Sequence, residues 1–77
     1  MMDEKHKIFL KKIGKNIARI RKGKNLTQVQ LADIAYMDDS SIRRIESGRN
    51  NSSIVILLRL AEALKVPLLE LIDIGDS

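Results

Sequence analysis

The chain contains no cysteine, one histidine and one proline. Without cysteine there is no disulfide staple and no thiolate metal site, a composition that suits a reducing compartment. His6 has no metal-ligating neighbours in the sequence, so neither a metal nor another cofactor is expected. No apolar run approaches the ~20 residues needed to cross a bilayer, and the charged N-terminus does not resemble a signal peptide. The expectation is a soluble, cytoplasmic protein without a membrane segment. Enzymatic chemistry is not expected either. There is no cysteine nucleophile and no phosphate-cradling glycine loop, and the adjacent Asp38 and Asp39 would diverge on a helix, a poor acid/base pair. No segment alternates with period two, so strands are not expected.

What remains is short, charged and helical. Seventy-seven residues make one small domain, spanning 1–77, with a thin core. A chain of this size buries only about 60% of its unfolded surface. Charged residues are 31% of the chain and the formal net charge is +4. Residues 1–24 carry nine Lys/Arg against two acids, a balance of +7, while 25–49 come to −1 and 50–77 to −2. The basic excess is therefore N-terminal. It favours a polyanion or an anionic surface as partner.

Ile13, Ile17 and Ile20, with Phe9 or Leu10 before them, predict a first helix over about 4–22 that stops near Gly23. Thr27 can cap a second, short helix carrying Leu31, Ala32 and Ala35. Asp38 can cap a third, with Ile42 and Ile45, ended by Gly48. After the polar RNNSS loop, Ser53 can cap a fourth helix to about Lys65, and Pro67 suits the first turn of a fifth. Met37 and Ile42 are expected in the core. The class is all-α.

Two short helices joined by a tight turn, over about 27–47, form a helix-turn-helix pattern. In that arrangement the first helix crosses the DNA backbone and the second enters the major groove. The residues are more specific than the spacing. The runs LTQVQLADIA, SSIRRIESGRNNSSI and LLRLAEALKV resemble the Cro/phage-repressor (XRE-type) helix-turn-helix family, over most of the chain from about Ile13 to Ile72. The resemblance implies a compact five-helix, lambda-repressor-like domain that binds double-stranded DNA and regulates transcription. It places Gln28 at a phosphate-binding helix N-terminus. It puts Asp39, Ser40, Ser41, Arg43 and Arg44 where the family contacts base edges and phosphates, and Ser47, Arg49 and Asn51 in a backbone-gripping loop. It pairs Glu46 with Arg21, a structural role. Tyr36 departs from the frequent turn glycine, which points to a slightly different turn and a third-helix frame shifted by one. Ser52 replaces a frequent proline and loosens the loop.

Asp38 is expected to cap the third helix and complement its dipole. For Asp39 two readings stand: a carboxylate that accepts from cytosine N4, or a decoration of the helix start. Arg44 is read as a bidentate guanine reader, with phosphate contact as the plain alternative. Lys5, Lys7, Lys11 and Lys12 are read as a solvated face that adds non-specific attraction.

The fourth helix is apolar at nine of eleven positions from Ile54 to Leu64, more than one core face needs. Ile54, Leu57, Leu60, Ala61 and Leu64 supply the stripe. Val55 and Leu58, with Leu69 and Ile74, are left over for a two-fold interface. A homodimer on a pseudo-palindromic operator follows, with half-sites about 10 bp apart. With no sensor domain expected, control would come through the protein's own concentration and promoter architecture. Chains of this kind resemble restriction–modification controller proteins, which would also bring RNA polymerase into play, and small phage repressors. The alternative is an antitoxin-type module that meets a toxin through its apolar C-terminal patch and binds DNA secondarily.

Overall fold

Isoleucines 13, 17 and 20 fall on one side of a long first helix, and all three are buried. In the computed structural model, which describes residues 3–75, that helix is α1, Glu4–Gly23. It is followed by α2 (Gln28–Ala35), α3 (Asp39–Glu46), α4 (Ile54–Leu64) and α5 (Leu68–Ile72), and no strand occurs among the described residues. Helices α2 and α3 pack on each other, α1 lies against α3 and α5, and α4 closes on α2 and α5. Ile17, Leu31, Ile42, Leu60, Leu64 and Leu71 meet in the centre, each fully buried. Every helix thus contributes to one core.

Side-chain caps set two of the starts. Thr27 Oγ1 accepts the Gln30 N–H at 3.0 Å, while Gln30 Oε1 accepts the Thr27 N–H at 2.8 Å, a closed capping box at α2. Ser53 Oγ accepts the Ile56 N–H at 3.2 Å and opens α4. Asp38 holds the N-cap position of α3, but its carboxylate makes no capping bond, contrary to expectation. The Ser41 N–H, which such a carboxylate would take, donates instead to the Asp38 carbonyl at 3.0 Å. Pro67 sits immediately before α5 rather than within its first turn.

The helix ends share one device. After α1, α2, α3 and α4 a single residue turns left-handed: Asn25 (φ 60°), Tyr36 (φ 56°), Gly48 (φ 78°) and Lys65 (φ 59°). The next N–H reaches back to the helix in each case, as from Met37 to the Ala32 carbonyl at 2.9 Å and from Arg49 to the Arg44 carbonyl at 3.0 Å. α1 thus stops at Gly23 as expected, but Asn25 rather than the glycine takes the left-handed turn. Tyr36 corrects the expectation of an altered turn. It adopts the glycine-like geometry at a cost of about 1–2 kcal/mol, and α3 keeps its frame. Its side chain points outward, and the residue is 90% exposed.

Three apolar expectations also shift. Ile54, assigned to the buried stripe of α4, is exposed, while Ile56 and Leu57 of the same turn pack against the core. Phe9 is exposed and Leu10 half-buried. Met37 is only partly buried against the core.

Candidate nucleic-acid interface

The α2–α3 pair is fixed by a buried charge cluster. Arg21 on α1 donates from Nε to Glu46 Oε2 at 2.7 Å and from Nη2 to Oε1 at 3.1 Å, and its Nη1 reaches the Leu26 carbonyl at 2.7 Å. The two side chains are 9% and 7% exposed. Gln28 completes the cluster, donating from Nε2 to Glu46 Oε1 at 3.0 Å. One bidentate pair thereby joins α1, the loop after it, the start of α2 and the end of α3. The expected partnership of Arg21 and Glu46 is present. Gln28, read as a phosphate ligand, also has a structural anchor that the sequence did not reveal. Its second amide hydrogen and the unsatisfied N–H groups of the first turn of α2 remain for an anion.

Close approach makes this possible. A Cβ on Gly14 would lie within 3.0 Å of the backbone carbonyls of Ile45 and Glu46, so only glycine lets α1 cross α3 at this depth. Gly48 is constrained twice, by its left-handed φ and by the Lys11 backbone against it.

From this frame α3 presents its polar side. An open groove of about 630 Å³ is lined by Lys15, Gln28, Ser40, Arg43, Arg44, Ser47 and Arg49. Six of these were singled out in the sequence, and Lys15 was not. Ser47 Oγ donates to the Arg44 carbonyl at 3.0 Å, which closes the helix end and leaves the Arg44 guanidinium exposed. Arg43 donates from Nη1 to Asp39 Oδ2 at 2.6 Å, one helical turn back. That hydrogen bond, and the positive charge behind it, lower the Asp39 pKa from the ordinary carboxylate value, with smaller help from the N–H groups of Asp39 and Ser40.

Not every expected residue joins the groove. Ser41 and Asp38 line a different depression with Tyr36, Met37, Ile56 and Arg59, on the α4 side of α3. Asn51 is exposed in the α3–α4 loop. Of the leftover apolar residues, Val55, Leu58 and Leu69 are 61%, 43% and 71% exposed, whereas Ile74 is half-buried and packs on the core. Asn16 was missed as well. Its Nδ2 donates to the Glu70 and Leu71 carbonyls, each at 2.8 Å, and holds α5 against α1. A lone asparagine in a basic helix gives no sequence signal for that role.

Comparison with known proteins agrees with this geometry. The helix-turn-helix family model (HTH_3) matches residues 17–71. An uncharacterized HTH-type transcriptional regulator, y4dJ, of Sinorhizobium fredii is 36% identical over 67 residues, 87% of each chain. The immunity repressor protein of Bacillus phage phi105 is 43% identical over 54 residues, 70% of this chain and 38% of that protein. Among solved structures, the restriction-modification controller protein C.AhdI from Aeromonas hydrophila superposes with a TM-score of 0.79 at 37% identity, over 80% of this chain and 94% of that one. An HTH_3 family transcriptional regulator from Vibrio cholerae, 20% identical with a TM-score of 0.81, shares the fold. The chain belongs to the helix-turn-helix family of DNA-binding transcriptional regulators, of the Cro/phage-repressor (XRE) type.

Proposed function

We propose that the protein binds pseudo-palindromic operators as a homodimer in the cytoplasm, with α3 of each protomer in the major groove. The observation that carries this reading is the gathering of Gln28, Ser40, Arg44, Ser47 and Arg49 around one groove beside an exposed helix. Arg44 projects from the helix with a free guanidinium and suits bidentate binding to guanine O6 and N7. Ser40 accompanies it, and the first turn of α2 with Arg49 supplies phosphate contacts. Arg43 is held on Asp39, so the pair acts together: the carboxylate disfavours acceptor-only base edges, and the arginine limits its repulsion of phosphate. Ser41 and Asn51 extend the contact at its margins.

The dimer rests on apolar exposure. Ile54, Val55, Leu58 and Leu69 expose large side chains on α4 and α5, and a two-fold contact would cover them. It also answers a need, since one such domain reads too few base pairs to find a site among genomic competitors. The likeness to a restriction-modification controller protein over nearly its whole length favours that subtype.

Selection of bound duplexes from a random pool at about 0.15 M salt tests the reading, because non-specific phosphate attraction is screened there. The expected product is a two-fold symmetric motif with half-sites about one helical turn apart. A folded protein that enriches no motif would overturn the operator reading. In that case co-purification of a second small protein would mark an interaction module.

A further inference from the structure

The most basic part of the chain is α1, and its lysines are not evenly spread. Lys7, Lys11 and Lys15 follow one another at intervals of four, which places them on one face of the helix. All three are exposed, and none has an ion pair or side-chain hydrogen bond among the described residues. The stripe runs into the α3 side of the molecule. Lys7 and Lys11 share a groove of about 500 Å³ with Ser47, Gly48 and Arg49, and Lys15 lines the neighbouring groove with Gln28, Arg44 and Arg49. Arg49 belongs to both. The register is fixed, because Gly48 touches the Lys11 backbone so closely that no Cβ would fit. Glu46, the carboxylate that lines the groove beside Lys15, is already held by Arg21 and Gln28.

We propose that Lys7, Lys11 and Lys15 form, with Arg49, a phosphate track along α1 that binds the DNA backbone beside the half-site read by α3. The inference rests on the proposed operator binding and enlarges its footprint. Like charges at four-residue spacing on an exposed helix cost stability. A phosphate strand along the same face would remove that repulsion while releasing counterions. It also gives a role to charge that solvation alone leaves unexplained, since residues 25–77 are net acidic.

The test compares two variants of equal charge. Lys7→Gln/Lys11→Gln/Lys15→Gln empties the track, and Lys5→Gln/Lys24→Gln/Lys65→Gln removes three lysines elsewhere; each takes the formal charge from +4 to +1. Glutamine keeps the methylene stem against Gly48 and is a comparable helix former. Affinity for the selected duplex, and for a mixed-sequence duplex, is followed from low to high salt. The track predicts that the slope of log K against log salt falls by about 2–3 per protomer in the first variant, roughly 0.9 for each phosphate no longer neutralised, and clearly less in the second. Equal slopes in the two variants would overturn it, as would charge-dependent binding of the wild type to vesicles rich in anionic lipid in preference to duplex. A wild type that selects no motif but shows the slope difference would leave the track standing and remove the operator reading. A symmetric motif with equal slopes would do the reverse.

Discussion

Gly14 offers a sharp test of how α1 and α3 are held together. A methyl group there would come within 3.0 Å of two backbone carbonyls in the last turn of α3, and no side-chain rotation can relieve the clash. Over-packing of this kind costs about 1–3 kcal/mol. Against it stands the greater helix propensity of alanine, about 1 kcal/mol at an interior position. Because both obstructing groups are backbone, the upper part of the range applies, and Gly14→Ala should lose about 1–2 kcal/mol net. In a domain of this size each kcal/mol moves the melting temperature by about 4–8 °C. The expected fall is therefore about 5–15 °C in thermal melts followed by far-UV circular dichroism. Gly23→Ala is the matched control: nothing lies within 4 Å of its added Cβ, and it ends the same helix with an ordinary φ. It should melt at or above the wild-type temperature. Both must be compared at one protein concentration, since the proposed dimerisation would make melting concentration-dependent. A Gly14→Ala protein that melts with the wild type would refute the close-packed crossing. Retained stability with lost operator affinity would instead mean that α3 shifts without unfolding.

Glu46→Ala leaves Arg21 buried without its partner and removes the anchor of Gln28, a change that typically costs ~3–5 kcal/mol; urea titration should show most of the domain's stability gone. Arg44→Ala should relax preference at one base pair per half-site in repeat selections, whereas uniformly weaker binding with an unchanged motif would put Arg44 on phosphate. Leu58→Glu should give a folded monomer by sedimentation, with much weaker operator binding; a monomeric wild type at working concentration would sink the dimer. Asp39→Asn releases Arg43 and should raise affinity for mixed-sequence DNA, with a salt slope steeper by up to about one per protomer. The same release should follow acidification. Asp39 has a lowered pKa, so the pair is complete above the ordinary carboxylate range and opens as pH falls through the folded value, and the wild type should approach the variant there.

Much of the molecule was legible in its residues because the signals were local. Ile13, Ile17 and Ile20 mark α1 by spacing, Thr27 and Ser53 are side chains whose oxygens suit free N–H groups, and Glu46 with Arg21 followed from the family pattern. Tyr36 shows where local reading failed. A left-handed tyrosine is unfavourable in isolation, and it is accepted because the adjoining Met37 and Ala35 hold the turn from inside. Ile54 failed for a related reason: periodicity tells that a helix has an apolar face, but not which positions at the edge of that face the core reaches.

Sequence by itself determined the five helices, their order, the helix-turn-helix and the side of α3 that is polar, since each depends on neighbours within a few positions. Only the tertiary structure decided what lies beside that face. Gly14 and Gly48 allow α1 to approach α3, and this brings Lys7, Lys11 and Lys15 next to Arg49, some 34 to 42 positions away in the chain. The same packing turns Ser41 away from the groove and ties Gln28 to Glu46. Charge acts through distance in space, and no pattern of spacing within one helix fixes how near a second helix will come.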